Sequence, residues 1–401
     1  MRILFANDGI GDAGGVQAYL AAVMPGLEAR GHAMAFLHQD RARPGAPSPA
    51  PAGTPHFGIE ERGMDAALAD SLGWAPDVAF IHNMRPLAVD WRLADSVPVV
   101  KFMHGYFGTC VSGQKAHLWP RPQTCGKPLG PGCLAVYGPR RCGQLRLGYV
   151  ARQYRWANEQ NELFGEYAAV VTASRHMRDE YVRNGAPAER VHALPLFPTL
   201  VGYSVEPPEV FRVAFLGRMT PVKGGDLLIR AVAQAKEQTG AAIALTMAGD
   251  GPRRAEWARL AASLGVDADF PGWVGDEDKA EVLRSASLLA VPSVWPEPFG
   301  LVGLEAGVFG VPSIAFDVGG IGEWLSDGVN GILVSGDPPT ADALAAGLAS
   351  AVRHPGALRG MRAGARLAAE RMSLIRHLDS VERVLAEAAG QGVLANLPPG
   401  T

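Results

Sequence analysis

The feature that most restricts the fold is an alternation that runs twice along the 401 residues. Short apolar runs end in glycine-containing turns and give way to stretches with helical spacing. Residues 2–7 (RILFAN) form the first run, the loop 9–15 follows, and 16–30 repeats its apolar side chains at a helical period. Gly31 closes that helix, and 33–37 reads as the next strand. Further runs stand at 77–81, 98–103 and 168–172. Uninterrupted apolar strands alternating with helices belong to parallel sheets covered on both faces.

The pattern breaks in three places. The segment 41–58, rich in Pro, Gly and Ala, reads as a surface loop. From 108 to 145 the alternation fails, and an irregular stretch bearing all four cysteines looks like an insertion in the first domain. Around 196–210 the sequence LFPTLVGYSVEPPEV has three prolines and no helical period, which marks a domain boundary. Beyond it the alternation restarts, with strands expected at 211–216, 242–247, 287–291 and 313–316 and helices at 225–234 and 253–264. The expected organisation is a first domain over 1–204, a second over 205–375, and a C-terminal helix and tail over 376–401, packing back toward the first domain. The last dozen residues, 390–401, look frayed. Two doubly wound α/β units of this kind hold ligands at the carboxyl ends of their strands, in the cleft where the units face each other.

Composition sets outer limits. A chain of 401 residues exceeds one compact core and suits two domains. A formal net charge of −3 gives no reason to expect a nucleic-acid partner. The N-terminus enters a strand without a charged lead and long apolar stretch, and no apolar run approaches the roughly 20 residues that span a bilayer. The cytoplasm is the default compartment.

Near the N-terminus, Gly9, Gly11 and Gly14 spell the dinucleotide fingerprint between a strand and a helix. A nicotinamide or flavin oxidoreductase also needs an acid closing the second strand, and the nearest, Asp40, comes late. The plainer reading is that Gly14 and Gly15 let backbone approach a phosphate at a helix start.

Three features of the second half act together. Gly217-Arg218-Met219-Thr220-Pro221-Val222-Lys223-Gly224 follows a strand, and two cations five residues apart on a turn can converge on one diphosphate. Alone, this is as readily a solvated basic turn. Glu297-Pro298-Phe299-Gly300-Leu301-Val302-Gly303-Leu304-Glu305 follows another strand. Here Gly300 to Val302 is expected to open a helix whose N–H groups and positive dipole end suit phosphate, with Glu305 about a turn and a half inside. A carboxylate can accept from two neighbouring sugar hydroxyls, and an exposed role for Glu305 sits badly with its apolar neighbours Leu304, Ala306 and Val308. Gly319-Gly320-Ile321-Gly322-Glu323 is a third strand-end turn, weak by itself.

With these motifs in this order, the second half resembles the retaining GT-B glycosyltransferases of family 4: a Gly-Arg…Lys-Gly turn at 217–224, an Ala-Gly-x-Gly-Pro turn at 248–252, and a Glu-x7-Glu motif from Glu297 to Glu305. The first half matches more loosely, through Gly14-Gly15-Val16, His104-Gly105 and Thr172-Ala173-Ser174. The resemblance implies transfer of a sugar from a nucleotide sugar, UDP-linked before GDP-linked, with retention of configuration and no catalytic metal or other cofactor. It implies that Arg218 and Lys223 neutralise the donor diphosphate beside Gly217. It implies that Glu305 holds the ribose, Glu297 the transferred sugar, and the amides of Gly300, Leu301 and Val302 the phosphates. It assigns the base to Trp273–Val274, a diphosphate contact to Gly14 and Gly15, and the transferred sugar's surroundings to His104. The acceptor stays open: a lipid-linked glycan, a saccharide or a small molecule. A non-catalytic nucleotide-sugar binder and the oxidoreductase are the rival classes.

Two Asp-x-Asp strings have the form of a metal motif found in another transferase fold. Asp267-Ala268-Asp269 is expected in a loop after a helix, and Asp276-Glu277-Asp278 at a helix start, where acids complement the dipole. Cys110, Cys125, Cys133 and Cys142 lack any C-x-x-C pair. A structural zinc site using all four, two disulfides and reduced thiols all remain open. Overlapping the end of the insertion, Arg140, Arg141, Arg146, Arg152 and Arg155 mix with Leu145, Leu147, Tyr149, Val150 and Trp156. That pattern suits either a solvated helix face or a peripheral contact with anionic lipid.

Overall fold

The computed structural model describes residues 1–11, 14–40 and 48–391, apart from the side chain of Leu147. The expected surface loop at 41–58 and frayed tail at 390–401 lie partly outside the described residues. The chain divides into two units: Met1–Val111 with Arg152–Leu194 and the chain from Leu374 onward, and Ser112–Ala151 with Pro195–Ser373.

The first unit begins β1 (Arg2–Asn7), α1 (Gly15–Glu28), β2 (Ala33–His38), β3 (His56–Gly58), α2 (Ile59–Arg62), α3 (Met64–Gly73), β4 (Val78–Ile81), α4 (Leu87–Ala94) and β5 (Val99–Met103). The stretch that follows holds only the short ribbon β6 (Ala116–His117) and β7 (Gln123–Thr124), the turn of helix α5 (Gly132–Tyr137) and the start of α6 (Leu147–Glu162). The first unit resumes with β8 (Ala169–Thr172), α7 (Arg175–Arg183) and β9 (Val191–Ala193). Its seven strands are parallel, in the order β3-β2-β1-β4-β5-β8-β9. All of β4 and β5 is buried, because helices cover both faces and leave no strand position facing water. Each fully buried Phe, such as Phe5, Phe36 and Phe80, contributes about 1.5–3 kcal/mol.

The second unit holds β10 (Phe211–Leu216), α8 (Gly225–Thr239), β11 (Ile243–Ala248), α9 (Arg254–Ser263), β12 (Asp267–Gly272), α10 (Asp276–Arg284), β13 (Leu288–Val291), α11 (Val302–Val308), β14 (Ser313–Phe316), β15 (Gly331–Val334), α12 (Ala341–Arg353) and α13 (Pro355–Arg371). Its six strands are parallel, in the order β12-β11-β10-β13-β14-β15. Sequence-adjacent strands flank β10 on one side and later ones on the other, so the order reverses at β10/β13. Ligands of open parallel sheets gather at such a point, beyond the carboxyl ends.

Three expectations need correcting. Most of the cysteine-bearing stretch, from Ser112 onward with Cys125, Cys133 and Cys142, groups with the second unit, while Cys110 stays with the first. The stretch adds no strand to either large sheet and bonds mainly to itself, Leu118 and Trp119 amides donating to the Arg140 carbonyl and Cys125 to that of Lys115. The linker also joins the second unit earlier, at Pro195 rather than 205. Arg366 and Arg362 donate to the carbonyls of Gly202 and Val205, which ties it down. Asp267 to Asp269 lies in strand β12, not a loop; this is an edge strand with alternating exposure, so polar residues fit its outer face.

The last helix, α14 (Leu374–Ala388), lies in the first unit, against α1 and β5. Arg30 bridges to Asp379 and Glu382, both at 2.8 Å. Among the described residues no helix is long and apolar enough to cross a membrane.

Candidate active site

In the second unit, β10 and β13 are hydrogen-bonded neighbours, so the loops leaving their carboxyl ends start side by side. The Val294 amide donates to the Val222 carbonyl at 2.9 Å and ties the two loops together. Gly224 makes the close approach, with φ +64° and a Cβ position only 1.9 Å from the Pro292 carbonyl oxygen. The result is that Lys223 Nζ sits 2.5 Å from Glu297 Oε1, with the ammonium 5.3 Å from the Trp295 ring centre. Ser293 Oγ donates to the same oxygen. Glu297 is 4% exposed. Burial pushes its carboxyl up, but the Lys223 charge and the hydrogen bonds from Lys223 and Ser293 win, holding it below the usual glutamate range.

Glu305 is equally buried, and its Oε1 accepts from Lys279 Nζ at 2.8 Å and Thr199 Oγ1 at 3.1 Å. Each carboxylate of the Glu-x7-Glu pair is therefore held by a lysine from another loop or helix. The helix between them starts later than expected. α11 runs from Val302 with Leu301 as its cap, because Gly300 is left-handed at φ +81°. Glu305 thus falls in the first turn, not a turn and a half inside. The loop is anchored from below: Trp324 Nε1 donates to the Phe299 carbonyl and the Gly320 amide to that of Glu297, each at 2.7 Å. Those bonds give the 319–323 turn its structural work. Arg218, after Gly217 at the end of β10, is exposed and makes no side-chain hydrogen bond or ion pair among the described residues. Trp273 is 69% exposed and, with half-buried Val274, leaves the end of β12, two strands from β10.

In the first unit, His104 follows β5 and is partly exposed at a pocket of about 130 Å³ that also takes in Asp8, Arg85, Lys101 and Trp156. Its Nε2 is 2.9 Å from His82 Nδ1, and its ring stacks on Phe102 at 4.3 Å. Burial, then the Lys101 charge, pushes the imidazole down to about 3, so His104 is neutral near pH 7. Lys101 itself is buried and donates to Asp90 Oδ1 at 2.6 Å, which Tyr167 OH also reaches at 2.7 Å. Gly14 stands before α1 and Gly15 opens it. Asp40 lies two residues past β2, its amide on the Asp8 carbonyl, so no acid closes that strand. At the end of β8, Ser174 caps α7 by accepting from the Met177 amide at 3.2 Å.

A family profile described as glycosyl transferases group 1 matches residues 203–368, and one described as glycosyltransferase family 4 matches residues 13–197. This chain belongs to the family 4 glycosyltransferases. The D-inositol 3-phosphate glycosyltransferase of Rhodococcus erythropolis is 40% identical over 141 residues, 33% of this chain and 31% of the relative. That of Salinispora tropica is 40% identical over 174 residues, 40% of this chain and 36% of the relative. The match therefore spans about a third of these curated relatives. Among solved structures, Anabaena HepE in complex with UDP and glucose superposes with a TM-score of 0.70 at 19% identity, over 96% of this chain and 100% of that one. Sucrose-phosphate synthase of Thermosynechococcus elongatus gives 0.70 at 18% identity, over 96% and 98%. These likenesses show that this family member has the GT-B fold, two Rossmann-like parallel-sheet units.

Other expectations fare differently. Among the described residues no three His, Cys, Asp or Glu side chains gather as a metal would need. Cys142 is buried with Sγ 3.4 Å from His117 Nδ1, whereas Cys133 Sγ lies 3.8 Å from the Pro128 carbonyl; the irregular stretch orders them in separate surroundings. In the basic run, Arg152 and Arg155 are exposed, but Trp156 turns inward and donates to the Arg85 carbonyl at 3.0 Å. Sequence reasoning missed Lys279, Thr199, Ser293 and His82. None lies in a motif; His82 stands by His104 in the first unit, and the other three stand by Glu297 and Glu305 in the second.

Proposed function

We propose that this chain is a retaining, metal-independent glycosyltransferase that takes a sugar from a nucleoside diphosphate, UDP before GDP. The observation that carries the reading is the gathering of Lys223, Glu297, Lys279 and Glu305 at the β10 and β13 strand ends of one unit, with Arg218 exposed and uncommitted on the same loop. A nucleotide sugar presents a diphosphate with a sugar on either side. Arg218 and Lys223 answer the diphosphate, Glu305 the ribose and Glu297 the transferred sugar. The amides of Gly300, Leu301 and Val302 add the positive end of α11. Trp273 offers an exposed ring to the base. The solved complexes of HepE with UDP and with UDP-glucose support the choice of nucleotide.

The chemistry asks for little beyond charge stabilisation. As the glycosidic C–O bond breaks, negative charge grows on the leaving diphosphate, and preorganised cations lower that barrier. A donor phosphate oxygen takes the acceptor proton on the face from which the leaving group departs, which gives retention without an enzyme nucleophile. Lys223 changes partner as donor binds, from Glu297 alone to the shared diphosphate. His104, neutral, serves as a hydrogen-bonding group beside the transferred sugar.

The acceptor carries a hydroxyl group, and the inositol-phosphate relatives make small polyol phosphates the first class to assay. The test incubates the full chain with UDP- and GDP-sugars, with and without such acceptors. Transfer or donor hydrolysis, with an α-linked product from an α-linked donor, is expected. Binding with no turnover of any donor would leave a nucleotide-sugar binder instead, and nicotinamide or flavin absorbance in the purified protein would restore the oxidoreductase.

A further inference from the structure

His82 follows β4, its amide bonded to the Ala6 carbonyl at 2.8 Å, and its side chain is 1% exposed. Aromatic rings surround it: Phe80 at 4.4 Å, Tyr19 at 5.5 Å, Phe102 at 5.7 Å and Phe5 at 6.0 Å. Nδ1 faces His104 Nε2 at 2.9 Å, while Nε2 is buried with no hydrogen-bond partner among the described residues. Phe5, at 2°, and Phe102, at 22°, lie nearly parallel to the imidazole, whereas Phe80, at 57°, and Tyr19, at 52°, are tilted to it, so an aromatic face is the best acceptor an Nε2–H could meet there, a weak one.

Two neutral imidazoles share one proton on the line between them. If His104 Nε2 carries it, His82 must hold its own proton on Nε2, a buried N–H with no nitrogen or oxygen acceptor among the described residues. If His82 Nδ1 carries it, only a bare lone pair is stranded, and His104 keeps its proton on Nδ1. Orphaned buried N–H groups are rarer in folded proteins than under-satisfied acceptors, which favours the second arrangement. We infer that His82 is a positioning residue that locks His104 as the Nδ1–H tautomer, so His104 offers its pocket a hydrogen-bond donor and cannot act as a base. The ligand group it meets is an oxygen acceptor, such as a hydroxyl oxygen of the transferred sugar. That last assignment rests on the transferase reading; the tautomer does not.

The test is a long-range 1H–15N spectrum of the full chain carrying 15N-histidine, at pH 7 without donor or acceptor, with His104 assigned by its loss in His104→Gln. The expected pattern is Nδ1–H for His104, retained in His82→Asn, whose amide reaches the Nδ1 position, and lost toward Nε2–H in His82→Leu. An Nε2–H pattern in the unaltered chain overturns the inference, even if His82→Leu fails to fold. An Nδ1–H pattern unchanged in a folded His82→Leu overturns it as well. In the transfer assay His82→Leu is expected to lower kcat on the order of tenfold with donor KM little changed, the loss of one hydrogen bond, and His82→Asn to recover most of it. A His82→Leu enzyme with full kcat would refute the positioning role, whereas absence of transfer by the unaltered chain would refute the transferase reading alone.

Discussion

Replacing Lys223 by Met should expose how much the site depends on its own ion pair. Glu297 has a side-chain exposure of 5% and Lys223 one of 26%, so the pair lies between a buried and a surface bridge. Breaking a buried pair by removing one partner costs about 3–5 kcal/mol, and an exposed pair is worth at most about 1. A loss of about 2 kcal/mol is expected, partly offset because Ser293 still donates to the stranded carboxylate. The sign of the pH dependence is the sharper mark. With Lys223 present, the Glu297 carboxyl is held below its unfolded value, so it stabilises the fold above that value, and the benefit fades on acidification. Without Lys223, burial dominates and raises it, so the charged form opposes folding at neutral pH and protonation relieves the strain. The difference between Lys223→Met and the unaltered chain should therefore be larger at pH 7.5 than at pH 5, as read by urea unfolding. Adding Glu297→Gln should recover part of the loss. A deficit below about 0.5 kcal/mol, or one equal at both pH values, would refute this reasoning.

Further outcomes follow from the same geometry. Arg218→Ala should cut transfer at least tenfold, about 1.4 kcal/mol, with the melting temperature unchanged because Arg218 is exposed and bonds to no described side chain; full turnover at saturating donor would remove it from the site. Lys279→Met should raise donor KM more than it lowers kcat, since it frees Glu305 rather than touching the breaking bond, and steady-state kinetics on both variants will show the split. Gly224→Ala should cost about 2 kcal/mol or more, seen as a lowered melting temperature, because a left-handed residue would drive its Cβ into the Pro292 carbonyl. Acidification should destabilise the first unit. With His104 at about 3 when folded against about 6.5 unfolded, the unfolded chain binds the extra proton between those values, and the His104 share of the loss by pH 5 is about 2 kcal/mol, measurable as a falling midpoint that His104→Gln makes shallower, with buried His82 still acting in the same direction.

The parts legible in the sequence are those with short-range causes. The apolar runs at 2–7, 211–216 and 313–316 coincide with β1, β10 and β14, because a strand buried on both faces needs an unbroken apolar run. Strand β12 was hidden because its edge position admits the polar sequence DADFPG, which carries no apolar run. Glu297 and Glu305 could be found from spacing around a glycine turn. Their partners could not. Lys279 lies 26 residues from Glu305 and Thr199 lies 106 away, in segments with no motif, and only the β12-β11-β10-β13 order and the packed linker deliver them. His82 was invisible because a lone histidine after an apolar strand is usually a plain core residue.

Isothermal calorimetry of UDP-, GDP- and ADP-sugars with the full chain, and with Arg218→Ala and Glu305→Gln, probes the donor site directly. One nucleotide sugar should bind the unaltered protein, and both substitutions should weaken it at least tenfold, about 1.4 kcal/mol each. Failure of every nucleotide sugar to bind, or binding indifferent to both changes, would contradict a donor site at the β10 and β13 strand ends.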